Sequence, residues 1–183
     1  METLQELLIA EIQDLYSGEM QLVKALPRMI SGASSPELKQ AISDHLQETK
    51  NQVARLEKVF SAVGQKPKAK HCKGMEGLLA ESEECLAEQS SGLLRDLQLI
   101  GAAQRVEHYE IAAYGTARMI AEQVNNQEAA GLLDDTLSEE EEADSKLSEV
   151  AATLYAMLED EKSDSEQESM SRRATKSRQA AAR

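Results

Sequence analysis

Four stretches of this chain repeat apolar residues at the spacing of an α-helix, and each repeat is broken near its middle by a carboxylate. The stripe of the third stretch reads Ile100, Ala103, Glu107, Glu110, Tyr114, Ala117, Ala121, so small and apolar residues flank two glutamates on one face. Helices of this pattern pack on their stripes, and the packing carries the carboxylates inward. A buried ionised carboxylate without a partner is costly, so several together imply a cation.

The other stripes follow the same rule. Thr3 and Glu6 form a capping box that opens helix one, which runs to about Ile30 and stops near Gly32. Its stripe is Leu8, Ile12, Leu15, Glu19, Leu22, Leu26, Met29. Ser35-Pro36-Glu37 starts helix two, which continues to about Val63 with Leu38, Ile42, His45, Glu48 or Thr49, Gln52, Leu56 and Val59 inward. A basic connector, 64–74, leads to a short amphipathic segment at about 75–89. Helix three spans 93–123. Asn125-Asn126 caps helix four, whose stripe reads Leu133, Leu137, Glu140, Asp144, Leu147, Ala151, Leu154. Short turns make each pair a hairpin, and the long link joins the pairs. The expected fold is all-α: an antiparallel four-helix bundle of the ferritin-like kind, with one long crossover carrying a short extra helix. Residues 1–159 form this domain. Beyond Asp160 no Leu, Ile, Val or Phe occurs, so 160–183 is expected to be a disordered tail.

Composition narrows the partners. A net charge of −13 argues against nucleic acid and against docking on anionic membrane. No apolar run is long enough to span a bilayer, and no signal peptide is visible, which points to the cytoplasm. Cys72 and Cys85 fit reduced thiols there.

The inner stripes together hold nine polar residues: Glu19, His45, Glu48, Gln52, Gln104, Glu107, Glu110, Glu140 and Asp144. Six are carboxylates, and each helix contributes at least one near its middle. In an antiparallel bundle these middles share one level. Two divalent ions, iron or manganese, would offset that charge. Each residue has a plainer reading. A lone Glu19 suits a rim with its head in water, and His45 suits a hydrogen-bonded core histidine as well as a ligand. Glu140 lies in the run Glu139 to Glu142, where Glu139 competes for the inward position. Asp144 could instead hydrogen-bond across the bundle. His108 points off its stripe, and His71 with Cys72 makes a weak zinc pair. Tyr16 and Tyr114 lie near the layer, where core packing is the simpler role.

The strings Asp14-Leu15-Tyr16-Ser17-Gly18-Glu19, His45-Leu46-Gln47-Glu48-Thr49, the run from Gln104 to Thr116, and Leu137 to Leu147 resemble the YciE/YciF-type ferritin-like proteins. The resemblance covers about Thr3 to Leu158, and the Gln104–Thr116 string is its most specific part. It implies a bacterial stress-associated protein, a homodimer of bundles with a dimetal centre faced by Glu19, Glu48, Glu107, Glu110 and Glu140. It implies no particular reaction. Better-understood dimetal bundles place a His three residues after a Glu on two helices. Here Asn51 and Ala143 occupy those offsets from Glu48 and Glu140, and the one inner His precedes its Glu.

Three functions compete. One is a dimetal protein reacting with oxygen or peroxide, with Tyr114 or Gln52 orienting ligands. Another is a non-enzymatic stress module whose polar layer fixes helix register. Iron storage is weaker, since it needs a cage that a dimer does not enclose.

Overall fold

The computed structural model describes residues 1–88, 90 and 92–181, with side chains through residue 163. Among the described residues five helices account for the regular structure: α1 (Leu4–Gly32), α2 (Pro36–Ala62), α3 (Lys73–Ala87), α4 (Leu93–Gln123) and α5 (Gln127–Ala181). Their limits follow local chemistry. At α1, Thr3 accepts from the Glu6 amide while the Glu6 carboxylate accepts from the Thr3 amide, closing the capping box. Ser35 caps α2 with Pro36 as its first residue. Gly64, at φ 72°, takes the chain out of α2, and Asn125, at φ 59°, turns it between α4 and α5. Asn126 then caps α5 by accepting from the Ala129 amide.

α1 pairs with α2 and α4, and α5 pairs with α4 and α2. Neighbours run antiparallel: Asp96 at the start of α4 meets Ser34 and Ser35 at the end of α1, and Gln52 meets Glu140. After α2 the chain returns along α1, where the Lys70 amide donates to the Gln13 carbonyl and the Cys72 amide to Ser17 Oγ. α3 then packs over α1 and α4. This is the one-crossover topology expected from the sequence.

The apolar interior forms two bodies. One holds Leu22, Leu26, Met29, Ile42, Leu99 and Leu147; the other holds Leu8, Ile12, Leu15, Phe60, Ala117 and Leu133. The polar layer lies between them. α5 continues past the last buried leucine, Leu154, and past the half-buried Leu158. The Glu, Gln, Lys, Arg and Ala of its last third favour helix by local preference. The side chains from residue 164 onward lie outside the described residues, as do residues 182 and 183 altogether.

The α1–α2 turn depends on one buried acid. Asp96 is fully buried and accepts from the amides of Ser34 (2.7 Å) and Ser35 (2.6 Å). Asp96→Ala leaves both donors unanswered and is expected to lower stability by about 2–3 kcal/mol. Chemical denaturation of the two proteins would read this directly.

Candidate metal centre

Three helices bring buried carboxylates to one level, and a fourth brings a histidine. α1 supplies Glu19, α2 supplies His45, α4 supplies Glu107 and Glu110, and α5 supplies Glu140; each is buried. One ligand atom from each of His45, Glu107, Glu110 and Glu140 lies within 4.8 Å of the others. Helical geometry explains the grouping, because Glu107 and Glu110 at i, i+3 point the same way from α4.

Few of these atoms have partners. Tyr114, fully buried, donates its hydroxyl to Glu19, and Gln52 donates to Glu140 at 2.6 Å. That leaves Glu19 Oε2, Glu107 Oε2, Glu110 Oε2, Glu140 Oε2, Gln52 Oε1 and both nitrogens of His45 buried without a hydrogen bond. The ring of His45 lies 3.6 Å from Glu107 through Nε2 and 3.7 Å from Glu48 through Nδ1, too far for either bond. Seven unanswered atoms in one layer is far from the usual economy of a protein interior. Most are acceptors, predominantly carboxylate oxygen with one imidazole, which is a donor set that fits divalent transition ions.

The electrostatics of the layer are set by burial and by like charges held close together. Burial pushes Glu19 up to about 7, against the pull of the Tyr114 hydrogen bond and of His45. Burial also raises Glu110 and Glu140 well above the carboxylate range, and the neighbouring carboxylates raise them further. Glu107 is raised by burial, with His45 opposing. Burial disfavours the imidazolium of His45, yet the fields of Glu107, Glu48 and Glu19 outweigh it and raise its pKa.

Around this centre the structure sorts the remaining sequence expectations. Glu140 faces inward, whereas Glu139 turns to the α2 seam and takes two bonds from Arg55, at 2.7 and 2.6 Å. Glu48 sits at the edge, its side chain 46% exposed. Thr49, the other residue allowed at that level, is the buried one, and it bonds back to the His45 carbonyl. Asp144 lies on the α4 side, where it accepts from Gln104 at 3.0 Å and stands 3.6 Å from His108. It acts on the centre through its charge on Glu107. Tyr16 packs edge-on to Phe60 and donates to Glu57, away from the layer. His71 pairs with Glu76 at the surface.

Two groupings were not visible in the sequence. Arg55 closes the α2–α5 seam by bonding Thr136 and Glu139, and only its place one turn after Gln52 hinted at this. Cys72 contacts the Tyr109 hydroxyl at 2.9 Å, and Tyr109 donates to Asp14 at 2.9 Å. That chain depends on the path of the crossover, which no periodicity encodes.

An all-helical bundle of this topology, centred on inward-facing carboxylates, is a ferritin-like fold. A structure of ferritin-like, diiron-carboxylate proteins from Bacillus anthracis str. Ames matches with a TM-score of 0.63, covering 82% of this chain and 99% of that one. At 15% identity this likeness speaks for the fold alone. Residues 3–162 match the family described as a domain of unknown function, DUF892, and the chain belongs to that family. Protein YciF of Escherichia coli (strain K12) is 41% identical over 152 residues, 82% of this chain and 92% of that protein. The crystal structure of the E. coli stress protein YciF matches with a TM-score of 0.83 at 40% identity, covering 85% of this chain and 99% of that one. No described helix is long and apolar enough to cross a membrane.

Proposed function

We propose that this protein is a stress-associated metalloprotein whose core layer holds two divalent iron or manganese ions. Glu19, Glu107, Glu110, Glu140 and His45 are the inner ligands, Glu48 completes the set from the edge, and Asp144 contributes charge from the α4 side. The observation that carries this reading is the set of seven buried, unanswered atoms in one layer. Iron or manganese, when bound, supplies redox chemistry toward oxygen or peroxide. The chain's own part is to fix Glu19 through Tyr114 and Glu140 through Gln52, and to pack an apolar body on either side of the layer. A cytoplasmic, homodimeric state belongs to the same proposal, supported by the family resemblance and by two free cysteines.

Plasma mass spectrometry after anaerobic loading with iron or manganese tests the proposal. About two ions per chain are expected, with loss of at least one in Glu107→Ala. No retained metal in either protein would overturn it. The competing reading is a structural layer, favoured by the Tyr114–Glu19 and Gln52–Glu140 bonds that tie helix to helix. Under that reading, added metal leaves the melting temperature unchanged.

A further inference from the structure

We infer that the cleft between the first half of α2 and the middle of α5 is the port through which divalent cations reach the buried carboxylates, passing from Glu48 to His45 to Glu107. The inference rests on the proposed metal centre. The cleft has a volume of about 770 Å³ and reaches from solvent to His45 and Glu107. Ala41, Ala103 and Ala143 line it, and their small side chains leave the space open. Its mouth carries Glu37, Asp44, Glu48, Glu142 and Glu149 against one ammonium, Lys146, which is itself 3.3 Å from Glu149.

An acidic mouth alone would be only a charged surface. What gives this one a direction is His45, 7% exposed, lining the cleft with both ring nitrogens unpartnered. Its Nδ1 lies 3.7 Å from the half-exposed Glu48 and its Nε2 lies 3.6 Å from buried Glu107. Three ligand groups thus descend from water to the interior, each near enough for a cation to be handed on before it is released. Along the same seam the cleft ends where Arg55 ties Thr136 and Glu139, and α3 covers part of α1 and α4. A second copy of this chain is a poor occupant, because an isologous contact would bring two acidic mouths together.

The test follows uptake of Co(II) by stopped-flow absorption in the full-length protein. Asp44→Asn/Glu142→Gln removes two charges from the mouth, and Ala143→Leu fills the cleft. Glu81→Gln/Glu84→Gln removes two exposed charges from α3 as a control. The mouth and filling variants should each bind about tenfold more slowly, with the final stoichiometry unchanged, while the control keeps the parent rate. High salt should slow the parent more than the mouth variant. Rates in both port variants equal to the control, with uptake intact, overturn the port and leave the metal centre standing. Absence of cobalt uptake in all four proteins overturns the centre and the port together.

Discussion

Metal-free protein is expected to become more stable as pH falls from 8 to 5, the reverse of the usual behaviour of paired carboxylates. Glu19 is held at about 7 when folded, above its unfolded value of 4.5. A group raised on folding contributes its stability fully below the unfolded value and loses it as pH rises through the folded one. The shift in Glu19 corresponds to about 3 kcal/mol across that window. Glu107, Glu110 and Glu140 are raised too, and so is His45, so all act with the same sign. Glu139 acts oppositely: Arg55 and Gln52 lower it despite burial, but its loss falls below its unfolded value and outside the window. The melting temperature of metal-free protein should therefore rise by roughly 10 °C between pH 8 and pH 5. With iron or manganese present the trend should invert, because the ions compete with protons for the same oxygens. A metal-free melting temperature that is flat or rises with pH would contradict the account of the layer.

Glu110→Leu should stabilise the metal-free protein at pH 8 by about 2–4 kcal/mol while abolishing full metal occupancy. Glu110 is 2% exposed, makes no hydrogen bond with Oε2, and sits among like charges. Leucine has similar volume and carries no desolvation cost, and replacing buried charges by packed apolar groups is often stabilising. The gain should shrink as pH falls toward 5, because protonation of Glu110 removes the charge that burial and the neighbouring carboxylates disfavour. Denaturant titrations at both pH values, with metal analysis on the same samples, separate the two readings of the layer. If the polar residues exist to fix register, the leucine variant loses stability or cooperativity instead.

Much of this could be read from the sequence because the chain obeys one period. On α1 the expected stripe from Leu8 to Met29 is buried residue for residue, and on α4 so is the stripe from Ile100 to Ala121. The level of the carboxylates follows, since in antiparallel hairpins with short turns the middles of helices must coincide. α5 was harder. Leu133, Glu140, Leu147 and Leu154 are buried as expected, but between them the buried positions are Thr136 and Val150, not Leu137 and Ala151. Steps of three and four both suit a helical period, and α5 takes the three-residue step of a heptad. That choice turns Asp144 from the layer toward Gln104 and leaves Glu140 inside. On α2 the same ambiguity sits between Glu48 and Thr49, and it resolves with Thr49 buried and Glu48 at the mouth of the cleft. The contacts of Cys72, Tyr109 and Asp14 had no periodic signature, because the crossover that makes them is not itself periodic.

The division of the apolar interior has a consequence for how the chain can vary. Leu22 and Leu15 lie about one turn to either side of Glu19, yet they belong to separate apolar bodies. The two bodies share no apolar member, so substitutions well inside each are expected to have additive costs in the metal-free chain. Ions bound at the layer would join all four helices and make the same pairs interdependent. In mutational terms the bundle is two small proteins sharing one seam. Each half is free to drift in its own leucines and alanines, while the few residues of the seam are answerable to both.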